Sequence, residues 1–279
     1  MVERWRLAYE EEKRRRMEGP LGEGWRNLER LGLYRPLPSE NLNELGIPTD
    51  GPLDPECSVE AWPDTGASAD GLVLVYFEGL AEHLIEQVRK SEVVLGCVAW
   101  LTHEAVLSAL AEKTDVAIVV QKEDFLRPDM DPKPGWKADL RRSYDRLRCS
   151  LCRYHFQGIL GCLSTLHDSE IQPIRCMGHH NAERSATCPR MHHKFLLLCR
   201  SGSVESDDFP FRSEPEPYAV WTGSFNVTRN AQNSLENAVL ISDPTIVRLY
   251  YAQWQRVESL SEPLDWETEW ASPEWRIGT

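Results

Sequence analysis

The sequence has no apolar run long enough to cross a membrane. Its longest apolar runs, at 72–77 and 195–199, fall far short of the roughly 18 residues that a span requires. The opening stretch, MVERWRLAYEEEKRRR, contains no signal-peptide core. We therefore expect a cytoplasmic protein with no membrane span.

Cysteine is scarce and unevenly placed. Only eight cysteines occur in 279 residues, and five of them lie between Cys149 and Cys188. A secreted disulfide framework usually spreads its cysteines densely over a short chain. The crowding favours metal ligation over disulfides.

Positive charge is also in short supply, because 31 Lys and Arg face 44 Asp and Glu for a net charge of −13. On its own this balance argues against nucleic acid as a partner. Residues 121–200, however, carry 14 basic and nine acidic residues, a net +5, so the rest of the chain carries −18. This basic third favours an anionic partner, although Arg141, Arg142 and Arg146 also fit the solvated face of a helix.

Three regions differ in composition. Residues 1–70 are expected to form a helical extension and a Pro-rich linker, an arm able to bind a protein partner. Residues 71–258 alternate apolar runs with amphipathic stretches, and 259–279 form an acidic, Trp-rich tail. The middle region predicts an α/β domain with a mixed β-sheet between helices.

The predicted elements of that domain follow from the pattern. Buried strands are expected at 72–77, 92–100, 115–121, 194–199, 218–223 and 237–242. Helices are expected at 79–91, 102–113 and 244–258.

Two short motifs flank the second half of the sheet. The stretch PRMHHKFLLLCR places His192 and Lys194 directly before an apolar strand, and WTGSFNVTRNAQNSLENAVLIS holds Ser224, Asn226 and Glu236. Together they resemble the phospholipase D superfamily, whose signature is His-x-Lys followed by Gly-Ser-x-Asn and an acidic residue. The resemblance covers about residues 71–258.

The resemblance implies phosphodiester cleavage without a catalytic cofactor. His192 would attack phosphorus and form a covalent intermediate, while a second protonated imidazole protonates the leaving oxygen. Lys194, Ser224 and Asn226 would stabilise the developing charge, and Glu236 would orient the histidine. Arg190, just upstream, is a candidate for binding the substrate phosphate.

The sequence departs from the family pattern in three ways. Cys199 occupies the position of the usual Asp, an acidic insertion fills 202–218, and the chain has a single His-x-Lys motif. Because the family builds its site from two such motifs, the resemblance implies a homodimer that shares one site. His193 should point to the opposite face of its strand from His192 and act structurally.

The segment 149–188 predicts a separate metal centre. Cys149 and Cys152 form a CxxC pair, and Cys176 with His179 repeats the spacing. Two such pairs suit a structural zinc. The alternatives are that the thiols only pack in the core, or that His179 and His180 line the active cleft.

The substrate is expected to be DNA or RNA, because the centre of the chain is basic and no element binds membranes. A phospholipase D or phosphatidyl transferase acting on lipid is the alternative enzyme. An inactive nucleic-acid-binding subunit is the non-enzymatic alternative.

Overall fold

The structure, a computed structural model, describes residues 65–122, 135–156, 158–162, 170–178, 190–202 and 214–264. The chain divides between Leu53 and Asp54, and all the described residues follow that division. Four predicted features therefore lie outside the described residues: the helical extension, most of the acidic insertion, the residues 179 and 180, and the tryptophans of the tail.

A single mixed sheet runs through the described part of the chain. Its strands are β1 (Thr65–Ala67), β2 (Val73–Tyr76), β3 (Val93–Val98), β4 (Asp115–Gln121), β5 (Ile174–Met177), β6 (Lys194–Arg200), β7 (Glu216–Gly223), β8 (Ala238–Ile241) and β9 (Glu262–Pro263). The helices are α1 (Leu80–Lys90), α2 (Glu104–Leu110), α3 (Trp136–Asp145), α4 (Ile159–Cys162) and α5 (Pro244–Leu260).

The order of the strands across the sheet is β1-β2-β8-β7-β6-β3-β4-β5-β9. The pairs β3/β4 and β4/β5 are parallel, and the other neighbours are antiparallel. The strand β6 lies near the middle, between β7 and β3. The motif that begins with His192 therefore leads into an inner strand, as the apolar run predicts.

Alternate residues of the inner strands divide the core into two clusters. On one face, Val98 and Leu196 pack with α1, α2 and α3; on the other, Cys97 and Phe195 pack with α4 and α5. We call these faces A and B. Because side chains alternate along a strand, both faces of β3, β4 and β6 must be apolar, which explains their continuous runs.

The predicted fold class is confirmed, and each strand and helix predicted between residues 71 and 258 is present. The sheet also extends beyond the predicted domain, since β1 precedes residue 71 and β9 follows residue 258. Both outer strands are short and have no sustained alternation, so pairing with β2 and β5 defines them.

Candidate active site

Three strands bring the motif residues to one edge of the sheet. Lys194, the first residue of β6, lies opposite Val98, the last residue of β3. On the other side of β6, Thr222 pairs with Phe195, so β7 ends beside the start of β6. Gly223 in turn pairs with Ala238, where β8 begins. The residues just before β6 and β8 and just after β7 therefore meet at this edge.

Gly223 is needed there because two strands approach closely. A Cβ added at this residue would lie 2.2 Å from the Asn237 carbonyl oxygen. Any larger residue would push β7 away from β8. The Gly of the Gly-Ser-x-Asn motif thus places Ser224 beside Asn237, whose N–H donates to Ser224 Oγ at 3.0 Å.

His192 and Lys194 contact each other at this edge. Lys194 Nζ lies 3.1 Å from Nδ1 and 3.3 Å from Nε2 of His192. Burial lowers the pKa of His192, and the positive charges of Lys194, Arg190 and His193 lower it further. A neutral imidazole is thereby favoured, which is the form that can act as a nucleophile.

Trp100 packs against His192 and was not singled out by the sequence motifs. Its ring meets the imidazole edge to face, with centroids 5.4 Å apart and planes at 80°. Trp100 follows β3 by two residues, and Val98 pairs with Lys194, so the contact depends on the β3/β6 register. The sequence feature that could have indicated this contact is the aromatic residue at the end of the predicted strand 92–100.

Ser224 and Glu236, both from the second motif stretch, are hydrogen-bonded to each other. The Ser224 hydroxyl donates to Glu236 Oε2. Burial lowers the pKa of Lys194, while the negative charge of Glu236 opposes that shift. Among the described residues, Glu236 bonds to Ser224 and not to His192, so its role in orienting the histidine stays a prediction.

The loop that contains Asn226 is hydrogen-bonded to the segment that follows β3. The next residue, Val227, accepts hydrogen bonds from Thr102 N at 2.9 Å and His103 N at 3.1 Å. Asn226 Oδ1 is buried and has no hydrogen-bond partner among the described residues. A buried amide with an unused end keeps hydrogen-bonding capacity for a bound ligand.

Arg190 and His193 lie close to His192 in sequence but have different surroundings. Arg190 is exposed, and its charge acts on His192. His193 Nε2 lies 3.1 Å from Gln253 Nε2 of α5, and its ring packs against Phe195 on face B. This is the side away from Lys194, as strand alternation predicts for His193.

Cys199 stands where the family pattern has Asp, and it is a core residue. It is fully buried on face B, and burial raises its pKa well above the ordinary value. The register of β6 and β7 shifts between Leu198 and Cys199. The position therefore contributes packing and no ionised group.

Two of the four predicted zinc ligands, Cys149 and Cys176, lie in different parts of the core. Cys176 belongs to the face A cluster, whereas Cys149 packs against the face B cluster, so the sheet separates them. Burial raises the pKa of each thiol to about 12. No group of three or more metal-ligating side chains occurs in the described residues, and His179 lies outside them. The positions of Cys149 and Cys176 do not support a shared zinc ion, and the four-ligand site stays a prediction.

Part of the basic third is a solvated helix face. Arg141 and Arg142 are exposed on α3, and Arg142 pairs with Asp139 one turn earlier.

Among the helices within the described ranges, none is both long and apolar enough to span a bilayer.

Comparison with known proteins gives one clear sequence relative. No family model matches the chain. Among solved structures, NucT from Helicobacter pylori shares 14% identity at a TM-score of 0.39, covering 68% of this chain and 98% of NucT. Nuc from Salmonella typhimurium, described as a phospholipase D family member, shares 16% identity at a TM-score of 0.39, covering 68% of this chain and 95% of Nuc.

One relative by sequence is a mimivirus protein. "Uncharacterized protein L381" of Acanthamoeba polyphaga mimivirus is 32% identical over 213 residues, which cover 72% of this chain and 70% of that protein. The chain therefore belongs to the same family as the mimivirus protein L381.

Proposed function

We propose that the protein is a phosphodiesterase of the phospholipase D type that cleaves nucleic acid through a phosphohistidine intermediate on His192. The observation that carries the proposal is the meeting of both motifs at one sheet edge. Lys194 contacts both ring nitrogens of His192, and the charge of Glu236, bonded to Ser224, acts on Lys194.

The proposed reaction has two steps. A neutral His192 nitrogen attacks phosphorus while the bond to the leaving oxygen breaks, and a protonated imidazole gives that oxygen its proton. The second imidazole, now neutral, takes a proton from a water molecule, which attacks the phosphohistidine and releases the histidine. In the proposed reaction, Lys194 and the amide of Asn226 stabilise charge on the phosphoryl oxygens.

A shared site in a homodimer supplies the second imidazole. One His192 cannot be nucleophile and acid in the same step, and the chain has no second His-x-Lys motif. His192 and Arg190 are exposed, so a second copy can approach this edge across a two-fold axis. Pairing also doubles the positive charge beside the substrate phosphate.

The test compares two adjacent histidines. Purified wild-type, His192→Asn and His193→Asn proteins are incubated with end-labelled single-stranded DNA, duplex DNA, RNA and phosphatidylcholine vesicles, all with a chelator. We expect cleavage of nucleic acid by the wild type and by His193→Asn, and none by His192→Asn. His193 is the matched control because its ring lies on face B.

The chemistry is checked on the same samples. Wild-type reactions quenched in alkaline detergent, in which phosphohistidine is stable, should carry a labelled nucleic-acid fragment on His192. Lys194→Ala should lose roughly two to three orders of magnitude in rate, as when one oxyanion donor is removed. Normal cleavage by folded His192→Asn would refute the proposal. Cleavage of the lipid alone would move the assignment to the lipid-acting alternative.

A further inference from the structure

The backbone around His192 is fixed by two hydrogen bonds outside the sheet ladder. The strand β6 begins at Lys194, so Met191, His192 and His193 precede its regular pairing. Met191 N donates to Gln121 Oε1 at 2.6 Å, and Ala99 N donates to His193 O at 2.8 Å. His192 thus lies between two residues that are each bonded to a neighbouring strand end.

Gln121, which holds Met191, is itself firmly placed. It is the last residue of β4 and is 1% exposed. Its Nε2 donates to the Lys122 carbonyl at 2.9 Å, and its backbone N–H donates to the Ala99 carbonyl at 3.1 Å. An amide whose two ends both bond to backbone has a defined orientation, so its oxygen points at Met191.

Gly178 lies directly against this amide. It follows β5 and has a φ of +105°. A Cβ added there would come within 2.3 Å of Gln121 Oε1 and 3.0 Å of Nε2. Lys122 N also donates to the Met177 carbonyl at 2.9 Å, which holds the end of β5 next to Gln121. Only a glycine leaves room for the amide in this orientation.

We propose that Gln121, with Gly178 packed against it, is a positioning residue that sets the place of His192 at the sheet edge. The inference deepens the proposed function and rests on it for its effect on catalysis. Without the amide oxygen, the buried Met191 N–H loses its partner, and the segment must shift to find another. A shift of about 1 Å in a reacting group can lower a rate by roughly 100-fold.

Gln121→Met tests the proposal because methionine has a similar length and no acceptor oxygen. Gln255→Met is the matched control: Gln255 is 6% exposed, and its Oε1 accepts a hydrogen bond from Leu160 N at 3.4 Å, on face B. With bis-para-nitrophenyl phosphate, we expect Gln121→Met to lower kcat roughly 10- to 100-fold with KM little changed. Gln255→Met should keep the wild-type kcat.

A second test perturbs the Gln121 amide by changing Gly178, the residue packed against it. Gly178→Ala inserts a Cβ into Gln121 and also strains a positive-φ residue. Gly135→Ala carries the same strain, since Gly135 has a φ of +109°, but its Cβ meets no described atom within 4 Å. We expect Gly178→Ala to lower kcat as Gln121→Met does, and Gly135→Ala to leave kcat unchanged.

A readout independent of turnover separates this inference from the proposed function. NMR titration of histidine-labelled protein gives the pKa of His192, assigned with His192→Asn. Gln121→Met should raise that pKa towards the ordinary value, because a displaced ring gains solvent, and Gln255→Met should not. If the wild type cleaves no phosphodiester, the proposed function fails while the titration still tests the positioning.

Two results would overturn the inference. One is an unchanged His192 titration in Gln121→Met, whatever happens to kcat. The other is an equal loss of kcat in Gln121→Met and Gln255→Met, which would mean that losing any buried amide has the same effect.

Discussion

At the scale of single residues, the electrostatics of His192 depend on what surrounds its ring. Lys194 Nζ lies within 3.3 Å of both ring nitrogens, and Trp100 covers one side of the ring edge to face. An ammonium group can only donate, so its closest ring nitrogen must be unprotonated to accept. Partial burial and the nearby cations therefore act in the same direction and favour the neutral ring.

This arrangement predicts how His192 titrates. Its pKa should lie below the roughly 6.5 of an ordinary histidine, so the acid limb of kcat/KM should fall below that pH. Lys194→Met should raise the pKa, because a positive charge is removed, without restoring it fully, since burial is the larger cause. NMR titration provides the measurement, with Lys90→Met as control; equal pKa values in both variants would contradict the prediction.

At the scale of elements, a buried ion cluster joins β5 and the segment 153–155 to the end of α5. Glu258 Oε1 lies 3.2 Å from Arg175 Nε and 3.7 Å from an Arg153 guanidinium nitrogen. All three side chains are at most 5% exposed. Arg175 also donates to Ser261 Oγ and to the Ser261 carbonyl, both at 2.7 Å. Polar contacts therefore fix where α5 ends and β9 begins.

Removing the charge of Glu258 should destabilise the fold. Glu258→Gln keeps the shape but takes the shared counter-charge from two buried arginines, at a cost of about 3–5 kcal/mol in the free energy of unfolding. Urea unfolding followed by circular dichroism measures the loss. The control is Glu86→Gln, whose partner Lys90 is 55% exposed and whose removal should not change the midpoint. Similar midpoints for both variants would show that the buried cluster contributes little.

At the scale of the whole molecule, the uneven charge fits a protein that meets an anion at one edge. The net charge of −13 is concentrated outside residues 121–200, and Arg190 and Lys194 lie at the candidate site. A dimer that places two such edges together would concentrate positive potential where a phosphate backbone binds. The remaining negative charge is then no obstacle to a nucleic-acid substrate.

The proposed site, shared by two copies of the chain, predicts how mixed dimers behave. If wild-type and His192→Asn chains are co-refolded, each heterodimer has one His192 and should be strongly impaired. Activity should therefore fall faster than the wild-type fraction, approaching its square. Cleavage rates across a mixing series, with His193→Asn chains as the control partner, provide the measurement. A linear fall, together with a monomeric mass by light scattering, would rule out the shared site.

The sequence by itself determined the local features of this protein. Continuous apolar runs predicted β3, β4 and β6, because strands covered on both faces have no polar positions. Strand alternation predicted that His193 points away from His192, and the two motifs marked the ends of β6 and β7 that meet. These features depend on neighbours within a few residues, so the periodicity and spacing of the sequence are enough to predict them.

Only the tertiary structure decided which distant residues share a surface. Cys149 and Cys176 belong to two pairs of equal spacing that were expected to share a zinc ion, yet they lie on opposite faces of the sheet. The fold, and not the interval along the chain, sets their sides. Gln121 reaches Met191 from 70 residues upstream, and Trp100 reaches His192 through the β3/β6 register. Such contacts depend on the order of the strands in the sheet. That order is set by pairing between distant segments, so a local sequence pattern does not predict it.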